Sequence, residues 1–116
     1  MEVLVVALIS RQELAAEIDA GAVTVLDALG GSYYEQRHLP GAVPLVAADV
    51  ADQAAALLPD TSAAIVTYCS NPSCPNSGQV AEQLITLGYR NVRKYREGIE
   101  DWAAAGLPLE TGALVR

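Results

Sequence analysis

Short apolar runs that alternate with helical patterns constrain the fold of this chain more than any other feature. Residues 23–27 and 63–68 are rich in β-branched side chains and apolar on both faces, which is typical of strands buried inside a sheet. Repeated strand–helix–strand units with short loops predict a mainly parallel sheet, because parallel neighbours need a crossover between them. We therefore expect an α/β fold, with a central sheet of about five strands and helices on both faces.

Strands and helices can be placed along the chain from the same alternation. The first helix begins at a Ser-x-x-Glu capping box, Ser10 to Glu13, and ends at Gly21. The strands are predicted at residues 3–9, 23–27, 43–46, 63–68 and 91–95. The other helical segments are predicted at residues 33–37, 47–58, 77–87 and 99–105.

The size and composition of the chain fit one globular domain, residues 1–116. The chain is 52% hydrophobic and 18% charged, which is typical of a folded protein outside a membrane. Its formal net charge of −7 would repel a phosphate backbone, and the basic group at residues 90–96 is too small to compensate. We therefore expect neither a nucleic acid nor a membrane as a partner.

The beginning of the chain and its cysteine count bear on location. The apolar run at residues 3–9 is shorter than a spanning helix and follows Glu2 instead of a basic segment, so we expect neither a signal peptide nor an anchor. Two cysteines are too few for a disulfide scaffold in a chain of this length. The sequence thus predicts a cytoplasmic location with both thiols reduced.

Both cysteines lie in one polar loop, between the predicted central strand and the next helix. The loop consists of Cys69, Ser70, Asn71, Pro72, Ser73, Cys74, Pro75, Asn76 and Ser77. At such a turn, backbone N–H groups and the positive end of the helix dipole converge on the strand end, which favours a thiolate and an anionic ligand. The thiolate is the nucleophilic form of cysteine, so Cys69 is the candidate for attack on a bound anion.

Four segments, in this order, resemble the rhodanese (sulfurtransferase) family. They are Leu26-Asp27, His38-Leu39-Pro40-Gly41-Ala42, Val66-Thr67-Tyr68-Cys69, and Leu84-x-x-x-Gly88-Tyr89-x-Asn91-Val92 leading to Gly98-Ile99-x-x-Trp102. The resemblance spans residues 10–108 and implies a rhodanese-like three-layer domain. It also implies that Cys69 is the nucleophile, and that the loop at residues 70–77 is the cradle whose amides hold the substrate and the persulfide.

The chain also departs from the common pattern of this family. Residues 70–77 hold no charged side chain, where familiar members often carry Arg or Lys, so we predict that Arg96 supplies a positive charge from the rim. The loop is about two residues longer than the common type and contains Cys74. Arg37 stands where a glycine usually precedes the histidine, and the usual Asp-x-Arg pattern is absent after Asp27.

The function implied by the resemblance is sulfur transfer. The Cys69 thiolate would take the outer sulfur of a small anionic donor such as thiosulfate, and a thiol or cyanide would remove it from the Cys69 persulfide. A sulfur-carrier protein is a further candidate partner. No cofactor is implied, and no metal site is predicted, because Cys69 and Cys74 with a distant His38 are a weak zinc signal.

Several alternatives stay open from the sequence. The chain could be a non-catalytic rhodanese-like module that binds a partner, or a dithiol redox protein that uses Cys69 and Cys74. A cysteine-dependent phosphatase or arsenate reductase is disfavoured, since such sites need an arginine five or more residues after the cysteine and position 74 is Cys. Cys74 is either a resolving cysteine or an incidental loop thiol.

Other motif residues are predicted to be structural. We expect His38 to hydrogen-bond the backbone of its turn instead of acting as a base, and Asp27 to brace loops instead of moving protons. Tyr89 and Trp102 are expected to pack in the core.

Overall fold

The computed structural model describes residues 6–112. Its strands form one five-stranded sheet in the order β1-β5-β4-β2-β3, and every neighbouring pair is parallel. The strands are β1 (Ala7–Leu8), β2 (Thr24–Asp27), β3 (Val43–Pro44), β4 (Ile65–Tyr68) and β5 (Val92–Tyr95). The predicted α/β fold with a parallel sheet of about five strands is confirmed. Residues 3–5 of the predicted first strand lie outside the described residues.

In the described part of the chain, five α-helices cover the two faces of the sheet. They are α1 (Arg11–Asp19), α2 (Gly31–Gln36), α3 (Val50–Leu57), α4 (Asn76–Thr86) and α5 (Gly98–Ala104). The helix predicted at residues 47–58 instead begins with a 3-10 turn, Ala47–Asp49, in which the Asp49 N–H donates to the Val46 carbonyl at 3.0 Å. Within residues 6–112, no helix is long and apolar enough to cross a membrane.

Alternate side chains of β4 divide the core into two apolar clusters, as the pleat of a strand requires. Ile65 packs in the cluster that contains Val80 and Leu84 of α4. Val66 and Tyr68 pack on the opposite face, against residues of α1, α2 and α5. Both clusters consist of buried side chains, so the central strands are covered on both faces, and the ends of these strands are where a ligand can approach.

The chain changes direction across the sheet between β2 and β4. After β2 it continues to β3 at one edge, and after β4 it continues to β5 on the other side. The two strands are in register at their carboxyl ends, where Asp27 is paired with Tyr68. Loops that leave neighbouring parallel strands in opposite directions open a crevice, which is where ligands bind in such sheets.

Candidate active site

Cys69 lies directly after β4, at this crevice, and its side chain is buried, with 1% of the residue exposed. The loop that follows leads into α4, which begins at Asn76, one residue before the predicted start. The Thr67 hydroxyl donates to the Ser77 carbonyl at 3.0 Å, which fastens the first turn of α4 to β4. The strand and the helix therefore hold the two ends of the cysteine loop in place.

The start of α5 holds the same loop from the other side. The N–H of Ile99 donates to the Cys69 carbonyl at 2.9 Å, and the N–H of Glu100 donates to the Ser70 carbonyl at 3.0 Å. These contacts satisfy N–H groups that a helix leaves unpaired in its first turn. Gly98 makes the approach possible, because a Cβ at this position would lie 2.6 Å from the Ser70 carbonyl carbon and oxygen. Sequence reasoning did not assign this role to Gly98, although the family motif contains it.

Asn71 shapes the interior of the loop. Its side-chain oxygen accepts from the N–H of Ser73 at 3.0 Å, and its backbone carbonyl accepts from the N–H of Cys74 at 3.1 Å. Its Nδ2 donates to Glu100 of α5 at 3.1 Å. Asn76, at the end of the loop, donates through Nδ2 to the Ala28 carbonyl after β2 at 3.4 Å. The turn at Asn71 brings Cys74 back toward the end of β4.

Cys69 and Cys74 form a disulfide in this structure, with their Cα atoms 6.2 Å apart. The expectation that both thiols are reduced is therefore wrong for this form of the protein. The physical reason is the turn at Asn71, which places the two Cα atoms within the range that a disulfide spans in spite of Pro72 and Pro75. A disulfide sulfur is no thiolate, so the structure describes an oxidised form in which Cys69 cannot act as a nucleophile.

Arg96, predicted to supply the positive charge, follows β5 and is exposed. Its Nε lies 3.8 Å from a Glu97 carboxylate oxygen, so its nearest ionic partner is its own neighbour in the chain. Its role toward a substrate stays a prediction.

A pocket of about 200 Å³ lies in the crevice beside Ser70. Tyr33 and Arg37 line it from α2 and the residue after its end, and Glu100 lines it from α5. Sequence reasoning did not assign these three residues to the site. The sequence feature that could have indicated this pocket was Arg37, which stands where the family usually has a glycine before the histidine.

A buried hydrogen-bond network fixes the ends of β2 and β4. The Asp27 carboxylate accepts from the N–H groups of Leu29 and Gly30 at 2.8 and 3.1 Å, and from the Tyr68 hydroxyl at 2.6 Å. The Tyr68 hydroxyl in turn accepts from the N–H of Leu39 at 3.1 Å. Burial, with the nearby Asp27 charge, raises the pKa of Tyr68 far above its usual value, so this hydroxyl stays protonated. Asp27 braces loops, as predicted.

The structure also confirms the backbone contact predicted for His38 and the packing predicted for Tyr89 and Trp102. His38 is buried, stacks on Tyr34 with ring centres 3.9 Å apart, and contacts the Tyr34 carbonyl through Nδ1 at 2.7 Å. Trp102 donates to the Pro108 carbonyl at 2.8 Å, and the Tyr89 hydroxyl donates to backbone carbonyls of α3 and the residue after its end. In the described part of the chain, no three His, Cys, Asp or Glu side chains gather as a metal-binding group.

Comparisons with known proteins agree with this geometry. A family model for the rhodanese-like domain matches residues 10–105. An HTH-type transcriptional regulator of Mycobacterium tuberculosis is 34% identical over 110 residues, which cover 92% of this chain and 46% of the regulator. The chain therefore spans less than half the length of that relative.

Solved structures share the fold. A rhodanese from E. coli, solved with anions, is 28% identical, with a TM-score of 0.66 over 78% of this chain and 100% of that one. A thiosulfate sulfurtransferase from Pseudomonas aeruginosa is 24% identical, with a TM-score of 0.79 over 96% of this chain and 21% of that one. This chain belongs to the rhodanese-like domain family, and the resemblance read from its motifs is confirmed.

Proposed function

We propose that the chain is a rhodanese-type sulfurtransferase, which moves a sulfane sulfur from thiosulfate or another persulfide donor to a thiol or cyanide through a Cys69 persulfide. The observation that carries the proposal is the position of Cys69. It lies directly after the central strand β4 at the crevice, between the first turn of α4 and the first turn of α5. The positive end of the dipole of α4, the helix into which the cysteine loop leads, favours a thiolate at this position once the disulfide is opened.

The disulfide must be opened before sulfur transfer. Two equivalents of a small thiol reduce the Cys69–Cys74 bond, giving two protein thiols and one small-molecule disulfide. The active form therefore belongs in a thiol-rich compartment such as the cytoplasm.

The transfer then proceeds in two displacements. The Cys69 thiolate attacks the outer sulfur of thiosulfate, the sulfur–sulfur bond of thiosulfate breaks, and sulfite leaves with the bonding pair. Cyanide attacks the outer sulfur of the resulting persulfide, thiocyanate leaves, and the Cys69 thiolate is restored. Atoms and electrons balance in both steps without a cofactor, and a sulfur-carrier protein could replace cyanide as the acceptor.

Replacement of Cys69 tests this proposal. Reduced wild type and Cys69→Ser are compared for thiocyanate formation from thiosulfate and cyanide, with thermal unfolding as the control for folding. We expect at least roughly a 100-fold loss in Cys69→Ser, because a serine hydroxyl is not ionised at neutral pH, whereas a thiol with a pKa of about 8.5 or below is partly ionised. A folded variant that keeps its thiocyanate formation would remove Cys69 from the mechanism.

A redox or partner-binding module is the second candidate function. The Cys69–Cys74 disulfide favours it, and so does the relative that is a transcriptional regulator. A redox protein would cycle between dithiol and disulfide, and neither it nor a non-catalytic binding module would accumulate sulfur on Cys69 when thiosulfate is supplied.

A further inference from the structure

The pocket beside Ser70 has a volume of about 200 Å³, against roughly 30 Å³ for one water molecule in the liquid, so it has room for several non-hydrogen atoms of a ligand. It is also smaller than the roughly 300 Å³ at which drug-sized pockets begin, so it suits a small organic molecule.

The pocket is connected to the reactive sulfur through Ser70. Ser70 lines the pocket, and its hydroxyl oxygen lies 4.0 Å from the sulfur of Cys69. Ile99, which also lines the pocket, donates its N–H to the Cys69 carbonyl. Leu29, a third lining residue, follows β2, so the pocket occupies the crevice between the ends of β2 and β4.

The charges in the pocket are of both signs. Arg37 brings a guanidinium, and within residues 6–112 it makes no ion pair. Glu100 brings a carboxylate, and its Oε2 is held by the Nδ2 of Asn71 at 3.1 Å. The side chains of Leu29, Ile99 and Tyr33 add hydrocarbon surface.

We propose that this pocket binds the amino-acid end of a small thiol, and that an α-amino-acid thiol of the cysteine class is the sulfur acceptor. This inference rests on the sulfurtransferase function proposed above. Arg37 pairs with the acceptor carboxylate, for which the planar guanidinium is suited, and Glu100 pairs with the ammonium group. The apolar side chains contact the acceptor carbons, and the thiol lies toward Ser70 and Cys69.

The transfer to such an acceptor is a single displacement. The acceptor thiolate attacks the outer sulfur of the Cys69 persulfide, and a new sulfur–sulfur bond forms on the acceptor. The bond from that sulfur to Cys69 breaks, and Cys69 leaves as a thiolate. The acceptor departs as a persulfide, and no oxidant or reductant is consumed.

Four acceptors distinguish the contribution of Arg37 from that of Glu100. Cysteine carries both groups, 3-mercaptopropionate only the carboxylate, cysteamine only the ammonium, and cyanide neither. Each is offered to the thiosulfate-loaded, reduced protein, as wild type, Arg37→Ala, Glu100→Gln and the control Arg90→Ala, whose arginine precedes β5 and donates to the Ser62 hydroxyl at 3.0 Å. The readout is kcat/KM for each thiol divided by the value for cyanide on the same protein, so that a general loss of activity cancels.

We expect Arg37→Ala to lower this ratio roughly fivefold to tenfold for cysteine and 3-mercaptopropionate, and to change it less than about twofold for cysteamine. Glu100→Gln should lower it about threefold for cysteine and cysteamine, without lowering it for 3-mercaptopropionate. Arg90→Ala should leave all ratios within about twofold, because Arg90 lies before β5, at the end of the sheet away from the pocket, and contributes only weak screened attraction.

Two different failures can be told apart. The protein could turn over cyanide and still give the same ratios in Arg37→Ala, Glu100→Gln and wild type. That result would overturn the pocket assignment and leave sulfur transfer standing. A wild type that forms no thiocyanate would overturn both. A shift shared equally by all three thiols would also overturn the assignment, because it would not depend on the carboxylate or the ammonium.

Discussion

Cys69 can act as a nucleophile only while it is not joined to Cys74 in a disulfide. The two Cα atoms lie 6.2 Å apart, and the hydrogen bonds of Asn71 hold the turn that brings them together. Once Cys69 carries a persulfide, a Cys74 thiolate at this distance can attack the Cys69 sulfur. A Cys69–Cys74 disulfide then forms, and sulfide leaves.

Cys74→Ser should therefore prolong the life of the persulfide. Thiosulfate-loaded wild type, freed of donor and left without an acceptor, is expected to emit sulfide and return to the disulfide. Cys74→Ser should keep its persulfide several-fold longer, as followed by intact mass and by sulfide release over time. Equal lifetimes in the two proteins would show that Cys74 is an incidental loop thiol.

Single residues differ in how far the sequence could assign them. The place of Cys69 at the crevice could be predicted, because the cysteine directly follows a buried strand and precedes a polar loop, and its role as nucleophile stays a prediction. Asp27 could be placed because the order of the family motifs indicated it. Arg37 and Glu100 could not be assigned, since they meet only when α2 and α5 pack against the crevice. The disulfide was missed for a similar reason, because it depends on the turn at Asn71.

At the scale of elements, the start of α5 determines where the cysteine loop lies. Gly98 has a φ of +77°, and the Ser70 backbone occupies the space where its Cβ would be. The two N–H groups after it bind the carbonyls of Cys69 and Ser70. A side chain at position 98 must push the loop away from α5.

Gly98→Ala should consequently destabilise the fold and misplace the loop. We expect a loss of about 2–4 kcal/mol in the free energy of unfolding, from the positive φ together with the backbone clash, and a lower kcat/KM for thiosulfate. Gly106→Ala is the matched control, because Gly106 has a φ of +75° and a Cβ there would meet no atom within 4 Å. It should lose only about 1 kcal/mol and keep its activity. Equal losses in the two variants, by denaturant unfolding, would contradict the role of Gly98.

The elements themselves followed from the sequence to within a few residues at their ends. Apolar β-branched runs indicated β2 and β4, and the capping box at Ser10 indicated α1, whose first turn it caps through a hydrogen bond to the N–H of Glu13. The 3-10 turn before α3 was missed, because an alanine-rich segment has the same pattern in either helix type.

At the scale of the whole molecule, two carboxylates link the helices on one face to the sheet. Glu17 of α1 binds Arg93 of β5, and Asp101 of α5 binds Tyr95 of β5 and Arg11. The hydrogen bond from Arg93 lowers the pKa of Glu17, and the hydrogen bond from Tyr95, followed by Arg11, lowers the pKa of Asp101. Both groups bind a proton less readily in the folded protein than in the unfolded chain.

Stability should therefore fall on acidification. The stabilisation that Glu17 and Asp101 give the folded protein is complete when the pH is above their usual pKa values of about 4.5 and 3.8. This stabilisation is lost as the pH falls through the lowered pKa values of the folded protein. Glu17→Gln and Asp101→Asn should each flatten the acid side of a plot of unfolding free energy against pH, measured with urea. Glu35→Gln, at an exposed position, is the control. If the unfolding free energy of Glu17→Gln and Asp101→Asn fell with pH as steeply as that of wild type, these two carboxylates would not cause the loss of stability in acid.

We propose that reduced Cys69 takes up one sulfur atom, and the intact mass of the protein measures this uptake. The protein is reduced, freed of reductant, incubated with thiosulfate and weighed by mass spectrometry, with Cys69→Ser treated in parallel. We predict that wild type gains the mass of one sulfur, that cyanide removes it, and that Cys69→Ser gains nothing. A wild type that only loses two hydrogens by closing its disulfide, with no gain of sulfur and no release of sulfite or sulfide, would contradict sulfur uptake at Cys69 and indicate a redox protein.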